Sequence, residues 1–274
     1  MGVGIMLLAQ LSDCHVSAGR PAYRIVDTQG ALARAVDALL ALRPAPEVVI
    51  LTGDLAYEGR PEEYARIARE LARLPMRVIA LPGNHDARGP FRDALVPRFC
   101  PTEDPLFLQV AVDLGELVLV GLDTLVPGED GGALCAKRLA WLEATLEAAR
   151  GRPVILALHH PPFATGIGFM DRIALAEPEK LEALVRRHGR VERVICGHVH
   201  RSVQTLWAGT LASIAPSTAH QVQLALEAGA PSCFTLEPAG FHLHARVPGG
   251  GLVTHLVPIG DWPGPYRFAE YASG

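Results

Sequence analysis

Five short apolar runs in this chain each break off in a polar turn. Met6–Leu11 runs into Ser12-Asp13-Cys14-His15, Val48–Leu51 into Thr52-Gly53-Asp54, and Arg77–Pro82 into Gly83-Asn84-His85-Asp86. Pro153–Leu158 stops at His159-His160-Pro161-Pro162, and Val191–Cys196 at Gly197-His198-Val199-His200. Branched-apolar runs of this length, bounded by turn residues, are the mark of buried strands. Helical stretches separate the first three. Thr28–Leu42 puts Leu32, Val36, Leu39 and Leu40 on one stripe, with Thr28 as the expected cap and Pro44 as the stop. Pro61 suits a first helical position, Glu62 and Glu63 complement the helix dipole, and Tyr64, Ile67, Ala68, Leu71 and Leu74 form the inward face. Alternating strand and helix require a largely parallel sheet. Its strand ends then share one edge, and open α/β sheets bind ligands there.

After Phe91 the pattern changes. Leu106–Val112 and Leu117–Leu122 predict a hairpin around Asp113–Glu116, and Gly128–Gly132 predicts a flexible loop. Helices are expected over Lys137–Arg150, with Leu139, Leu142 and Leu146 inward, and over Glu179–Arg187. Beyond Arg201 strands dominate: Val203–Trp207, Leu211–Ala215, Cys233–Glu237, Phe241–Arg246 and Leu252–Val257. They predict a second sheet layer or an assembly element, followed by an extended Trp262–Tyr266 segment packed on the body.

A chain of 274 residues, 49% of them hydrophobic, can bury a sizeable core as one large α/β domain or as a catalytic domain with a small appendage. Its net charge of −4 argues against a surface built for nucleic-acid phosphates. The N-terminal apolar run, Val3–Ala9, is too short to span a bilayer and has no basic segment before it, so neither a membrane span nor a signal peptide is expected. Cys14, Cys100, Cys135, Cys196 and Cys233 are odd in number and lack paired spacing. They indicate neither a disulfide framework nor a zinc ribbon, and the cytoplasm is the expected compartment.

The strand ends carry Asp13, His15, Asp54, Asn84, His159, His198 and His200. Residues two apart on an extended backbone point the same way, so Asp13 with His15, and His198 with His200, can each reach one ion. Two carboxylates, an amide oxygen and four imidazoles suffice for two metal ions with positions open for water and substrate. Mixed oxygen and imidazole donors suit Fe, Mn, Zn or Co. Asp54 stands alone between the paired motifs and is the expected bridge.

Asp13-x-His15, Gly53-Asp54, Gly83-Asn84-His85-Asp86, His159 and Gly197-His198-x-His200, in that order, resemble the calcineurin-like metallophosphoesterases. The resemblance implies an α/β fold, a four-layer αββα sandwich of two mixed β-sheets flanked by helices. It also implies one metal on Asp13, His15, Asp54 and His200, and a second on Asp54, Asn84, His159 and His198. Gly59-Arg60-Pro61-Glu62-Glu63-Tyr64, His159-His160-Pro161-Pro162, Met170-Asp171 and His220-Gln221-Val222 are similar to the cyclic-nucleotide and glycerophosphodiester phosphodiesterase branch, the latter enzymes in particular. That similarity implies a catalytic domain over residues 1–200, a β-rich dimerisation element over 201–248, and a C-terminal strand and tail over 249–274 returning to the catalytic domain. A homodimer or higher homo-oligomer follows.

Two cations roughly 3.5 to 4 Å apart lower the pKa of a shared water and clamp the attacking and leaving oxygens of an in-line displacement. The expected reaction is attack of a metal-bridging hydroxide on the phosphorus of a small glycerophosphodiester-like substrate. Asn84, His85 and His220 are the expected substrate-facing residues. His85, oriented by Asp86, is the expected donor toward the leaving oxygen. A 3′,5′-cyclic nucleotide is the alternative substrate and a phosphomonoester the third. A non-catalytic scaffold would be expected to have lost ligands, and all seven positions are filled here. Val16–Val26 and Thr165–Ile173 flank the ligands, as a lid would.

Overall fold

The computed structural model describes residues 5–271, so the first two residues of the Val3–Ala9 run lie outside the described chain. The first half contains β1 (Met6–Leu11), α1 (Thr28–Ala41), β2 (Val48–Thr52), α2 (Pro61–Leu71), β3 (Arg77–Leu81), α3 (Arg88–Phe99), β4 (Val110–Asp113) and β5 (Val118–Gly121). Next come α4 (Ala136–Ala148), β6 (Val154–Ala157), α5 (Gly168–Asp171), α6 (Pro178–His188), β7 (Val191–Cys196), β8 (Val203–Trp207) and β9 (Thr210–Ile214). The chain closes with β10 (Gln221–Val222), β11 (Phe234–Thr235), β12 (Gly240–Arg246), β13 (Leu252–Pro258) and α7 (Phe268–Tyr271).

Two large mixed sheets result, ordered β13-β12-β1-β2-β3 and β4-β5-β6-β7-β9-β8. Strands β1, β2 and β3 are parallel, as are β5, β6, β7 and β9. Period-two alternation decides which layer each side chain joins. Ile155, Ala157 and Ile195 face the first sheet and share a core with Leu11, Leu51 and Ile79. Their neighbours Val154, Leu156 and Val194 turn outward onto Leu142 and Leu146 of α4 and Leu181 and Val185 of α6. Helices α1, α2 and α3 cover the other face of the first sheet through Leu32, Tyr64 and Phe91. The architecture is the expected four-layer sandwich. Each fully buried leucine contributes roughly 1.5–3 kcal/mol. A polar bolt crosses between the sheets: Gln10 of β1 donates to the Cys196 carbonyl of β7 at 2.8 Å and to Thr52 Oγ1 at 3.0 Å. It thereby fixes the ligand-bearing ends of three strands against one another.

Local chemistry revises several expectations. The α1 cap is Asp27, whose carboxylate accepts from Gly30 N at 2.9 Å, while Thr28 Oγ1 accepts from Ser17 N at 3.1 Å. Helix α3 is absent from the sequence reading because Pro90 and Pro97 mask it; only Phe91, Leu95 and Phe99 mark its buried face. The Gly128–Gly132 loop is anchored, with Gly132 N donating to Ala174 O and Ala176 N to Gly132 O. Residues 201–248 do not form a sheet of their own. Strands β8 and β9 complete the second large sheet and β12 pairs with β1, leaving β10–β11 as a separate two-stranded arm. The proline-rich tail leaves Trp262, Tyr266 and Phe268 exposed. No described helix is long and apolar enough to cross a membrane.

Candidate metal centre

The loops after β1, β2, β3, β6 and β7 converge, and all seven predicted donors meet there. Asp54 Oδ2 lies 3.5 Å from His15 Nε2 and 3.4 Å from His159 Nε2, so one oxygen reaches both halves of the cluster. In one half, His200 Nε2 is 3.3 Å from Asp13 Oδ1 and 3.0 Å from His15 Nε2. Asp13, His15, Asp54 and His200 each offer a ligand atom, all within 4.8 Å of one another. In the other half, Asn84 Oδ1 is 3.1 Å from both His159 Nε2 and His198 Nδ1, which are 3.3 Å apart.

The backbone bends sharply to achieve this. Asp13, His15, Asp54, His198 and His200 all adopt positive φ, between 44° and 74°. Such a conformation costs an L-residue roughly 1–2 kcal/mol. Hydrogen bonds between the loops hold it: Asp13 N donates to Gly53 O, His15 N to Asp54 O, and His198 N to Asp13 Oδ1 at 3.0 Å. His85 N donates to Asp54 Oδ1 at 2.9 Å. Gly83 is required by close approach, since a Cβ there would lie 2.2 Å from Asp54 Oδ1 and 2.4 Å from Asp54 N.

Carbonyls outside the cluster set the imidazole tautomers. His159 Nδ1 donates to Thr52 O at 2.8 Å and His200 Nδ1 to His220 O at 3.0 Å, so each turns its Nε2 lone pair toward a carboxylate. A lone pair facing a carboxylate is repelled unless a cation lies between them, which is the test the donors must pass to hold metal. The electrostatics agree. Burial opposes charging His159, but the Asp54 carboxylate outweighs it and raises the pKa to about 9. Burial likewise disfavours the Asp54 and Asp13 carboxylates, yet the facing imidazoles hold both below the ordinary value. The cluster draws positive charge, and its mixed oxygen and imidazole donors match a first-row divalent ion. Cys14 and Cys196 lie close by, but burial keeps both thiols protonated, with Cys14 pushed up to about 12.

Four residues beside the donors have distinct positions. His85 donates from Nδ1 to Tyr57 O at 2.9 Å, and its other nitrogen is left beside the pocket. Burial opposes a charge on this ring, but Asp54 raises its pKa. Asp86 does not orient His85, contrary to the sequence expectation. Its carboxylate instead accepts from Leu55 N, Ala56 N, Gly83 N and Tyr64 Oη, tying the third loop to the second. His160 is buried against the cluster, but both its nitrogens are engaged, by Thr124 Oγ1 and Asp130 O, which leaves none for a metal. His220 lines the pocket with its ring 4.7 Å from that of His200; burial and His200 lower its pKa to about 3, so it is neutral at pH 7.

The pocket above the cluster has a volume of about 410 Å³. Both flanking segments supply walls, Tyr23 from the first and Phe169, Met170 and Ile173 from the second. Phe234 of β11 packs on Tyr23 at 5.0 Å between centroids. Sequence reading placed Asp130 in a loop and Phe234 in a strand, but neither in the site. Their signal is purely tertiary, because each lies on a loop or short strand that carries no metal motif.

A donor set of this kind at the strand ends of a four-layer sandwich defines a dinuclear-metal site. The chain belongs to the calcineurin-like phosphoesterase family, whose sequence model matches residues 6–202. It is 35% identical over 265 residues to a probable glycerophosphodiester phosphodiesterase of Arcobacter nitrofigilis, covering 96% of this chain and 97% of that one. It is also 35% identical over 257 residues to a probable cyclic nucleotide phosphodiesterase of Rhodopseudomonas palustris, covering 91% of each. The fold matches that of a dimetal phosphatase from Danio rerio with a TM-score of 0.63 at 14% identity, over 93% of this chain and 99% of the other.

Proposed function

We infer that this metal-dependent phosphodiesterase hydrolyses small glycerophosphodiesters. The observation that carries the reading is Asp54 Oδ2, within 3.5 Å of an imidazole nitrogen from each half of the cluster. One metal is assigned to Asp13, His15, Asp54 and His200, the other to Asp54, Asn84, His159 and His198. Fe, Mn, Zn and Co all suit these donors. When bound, the metals supply Lewis acidity: they lower the pKa of a water and offset charge on the phosphoryl oxygens. The protein's own part is to orient and to move a proton. Asn84 is a neutral donor, so its half of the site keeps more positive charge toward the phosphate than a carboxylate would leave. His85 gives a proton to the departing alkoxide, and the Tyr57 carbonyl on Nδ1 aims its other nitrogen. Neutral His220 lines the same pocket and is assigned as a substrate contact.

The near full-length likeness to the Arcobacter nitrofigilis protein favours glycerophosphodiesters. The Rhodopseudomonas palustris relative supports a second reading, a 3′,5′-cyclic nucleotide substrate. A panel of glycerophosphodiesters, cyclic AMP and phosphomonoesters, assayed on metal-reconstituted protein, decides between them. Turnover of cyclic AMP well above that of every glycerophosphodiester would overturn the choice. The chain is assigned as a homodimer or higher oligomer pairing through the β10–β11 arm, where Leu224, Leu226 and Leu236 are exposed. The cytoplasm suits its free cysteines.

A further inference from the structure

We propose that Arg201 is a positioning residue for the reaction: it clasps the β10–β11 arm to the metal centre and so holds in place the part of the pocket wall that the arm supplies. The inference rests on the phosphodiesterase reading and deepens it. Arg201 follows the metal donor His200 directly in the chain. Its Nη1 donates to the Val222 carbonyl of β10 at 2.7 Å and lies 2.9 Å from Oε2 of Glu237, two residues past β11. One guanidinium therefore grips both strands of the arm. Its side chain is only 20% exposed, against 43% for Glu237, so the arginine end of the pair is largely shielded from solvent. His200 adds a second tie, since its Nδ1 donates to the carbonyl of His220, the residue before β10, at 3.0 Å. Two consecutive residues of the fifth loop thus hold the base of the arm.

The arm has little else of its own to keep it in place. Its strands pair only through Gln221 with Thr235 and Val222 with Phe234, extended by Gln223 N on Cys233 O at 2.9 Å. Among the described residues no strand of either large sheet pairs with it. A two-stranded ribbon alone is marginal in water, so side-chain contacts decide where this one sits. Its position matters, because Val222, Cys233 and Phe234 all line the pocket above the donors. The Phe234 ring is 5.4 Å from that of His220 and 5.0 Å from that of Tyr23. Farther out, a Cβ on Gly166 would lie 3.4 Å from Leu226 Cδ2, so the turn of the arm reaches the segment that carries Phe169 and Met170. Releasing the clasp lets this wall move, whereas Asp54 and His85 stand on other loops. Substrate binding should suffer more than the chemical step.

The test compares metal-loaded wild type, Arg201→Gln, Arg201→Lys and Glu237→Gln in two ways. One is kcat and KM on a chromogenic phosphodiester; the other is hydrogen exchange over residues 221–237, read by mass spectrometry. A hydrogen bond to a charged group shifts an equilibrium by about tenfold or more. Arg201→Gln is therefore expected to speed exchange in the arm about tenfold and to raise KM about tenfold, while kcat moves by less than about threefold and metal content stays at the wild-type level. Arg201→Lys, which keeps a charged donor, should restore part of both. Glu237→Gln, which leaves the bond to Val222, should show a smaller effect in the same direction. Arm exchange equal to wild type in Arg201→Gln overturns the inference. So does loss of a metal, or a fall in kcat at fixed KM, because Arg201 would then serve the donor beside it and not the arm. Absence of wild-type turnover on every phosphodiester overturns the reading of the site, and the clasp then stands or falls on exchange alone.

Discussion

Substituting Gly83 by alanine adds one methyl group at the tightest point of the metal centre. That Cβ would lie 2.2 Å from Asp54 Oδ1 and 2.4 Å from the Asp54 amide nitrogen. Non-bonded carbons essentially never approach closer than 3.0 Å, so the two loops must separate by close to 1 Å. The backbone nitrogen cannot rotate away as a side chain would. The Asp54 amide also belongs to a segment pinned at both ends, by His15 N on Asp54 O and by Asp86 on Leu55 N and Ala56 N. Relief must come from the donor carboxylate and from the Asn84–His85 turn. A misplacement of about 1 Å in a catalytic constellation costs on the order of 10²-fold in rate. The same overpacking should lower stability by roughly 1–3 kcal/mol. The assay is kcat/KM on a chromogenic phosphodiester, with metal content by mass spectrometry and circular dichroism to show that the fold persists. Gly89→Ala is the control, because a Cβ there meets nothing within 4 Å. Gly83→Ala protein that holds two metals and retains activity within threefold of wild type would refute the argument from close approach.

Two further outcomes follow from the same structure. His85→Ala should retain both metals, since its ring is outside the donor set, and lose about 10²-fold or more in kcat, the scale of general-acid catalysis; unchanged turnover would remove the proton-donor role. His242, fully buried and bonded to Ser202 Oγ at 2.9 Å, has its pKa lowered by burial and by Arg193 from the ordinary 6.5 to about 4. The unfolded chain therefore binds the proton more readily, so this residue's contribution to stability is complete above pH 6.5 and is lost as pH falls toward 4. The loss amounts to about 3 kcal/mol. Urea unfolding at pH 7.5 and pH 4.5 should show a smaller pH dependence in His242→Gln than in wild type, and an identical dependence would contradict it.

Most of the centre is legible in the sequence because its donors come in short local motifs at strand ends, where alternation and turn chemistry operate over three or four residues. Asp13 with His15, and His198 with His200, are of this kind. Asp86 shows where such reading fails. Adjacency to His85 suggests that it orients the ring, yet a side chain one residue along the chain points elsewhere, and its carboxylate serves the neighbouring loop. Tyr57 does the orienting through a carbonyl, an atom every residue possesses, so nothing in its identity signals the role. Helix α3 was hidden because Pro97 suggests a break, whereas Phe91, Leu95 and Phe99 bury enough surface to keep the helix. The strands after Arg201 were found, except the two-residue β10, but not their placement. Pairing β12 with β1 joins residues more than two hundred apart, and local pattern carries no information about that partner.

The loops of the centre hold one another more than their own strands hold them. The first loop is bonded to the second through Asp13 N and His15 N, the second to the third through Asp86, and the fifth to the first through His198 N on Asp13. Gly197 N closes on the His159 carbonyl, which joins the fifth loop to the fourth. This chain of contacts explains how five donors persist at positive φ, a conformation whose summed cost no single strand end would sustain. It also explains how donors from five separate loops come together at one edge. The residues that tie the loops together are therefore as necessary to the site as the donors themselves. Among them are Gly83, Asp86 and Gln10, none of which belongs to the donor set.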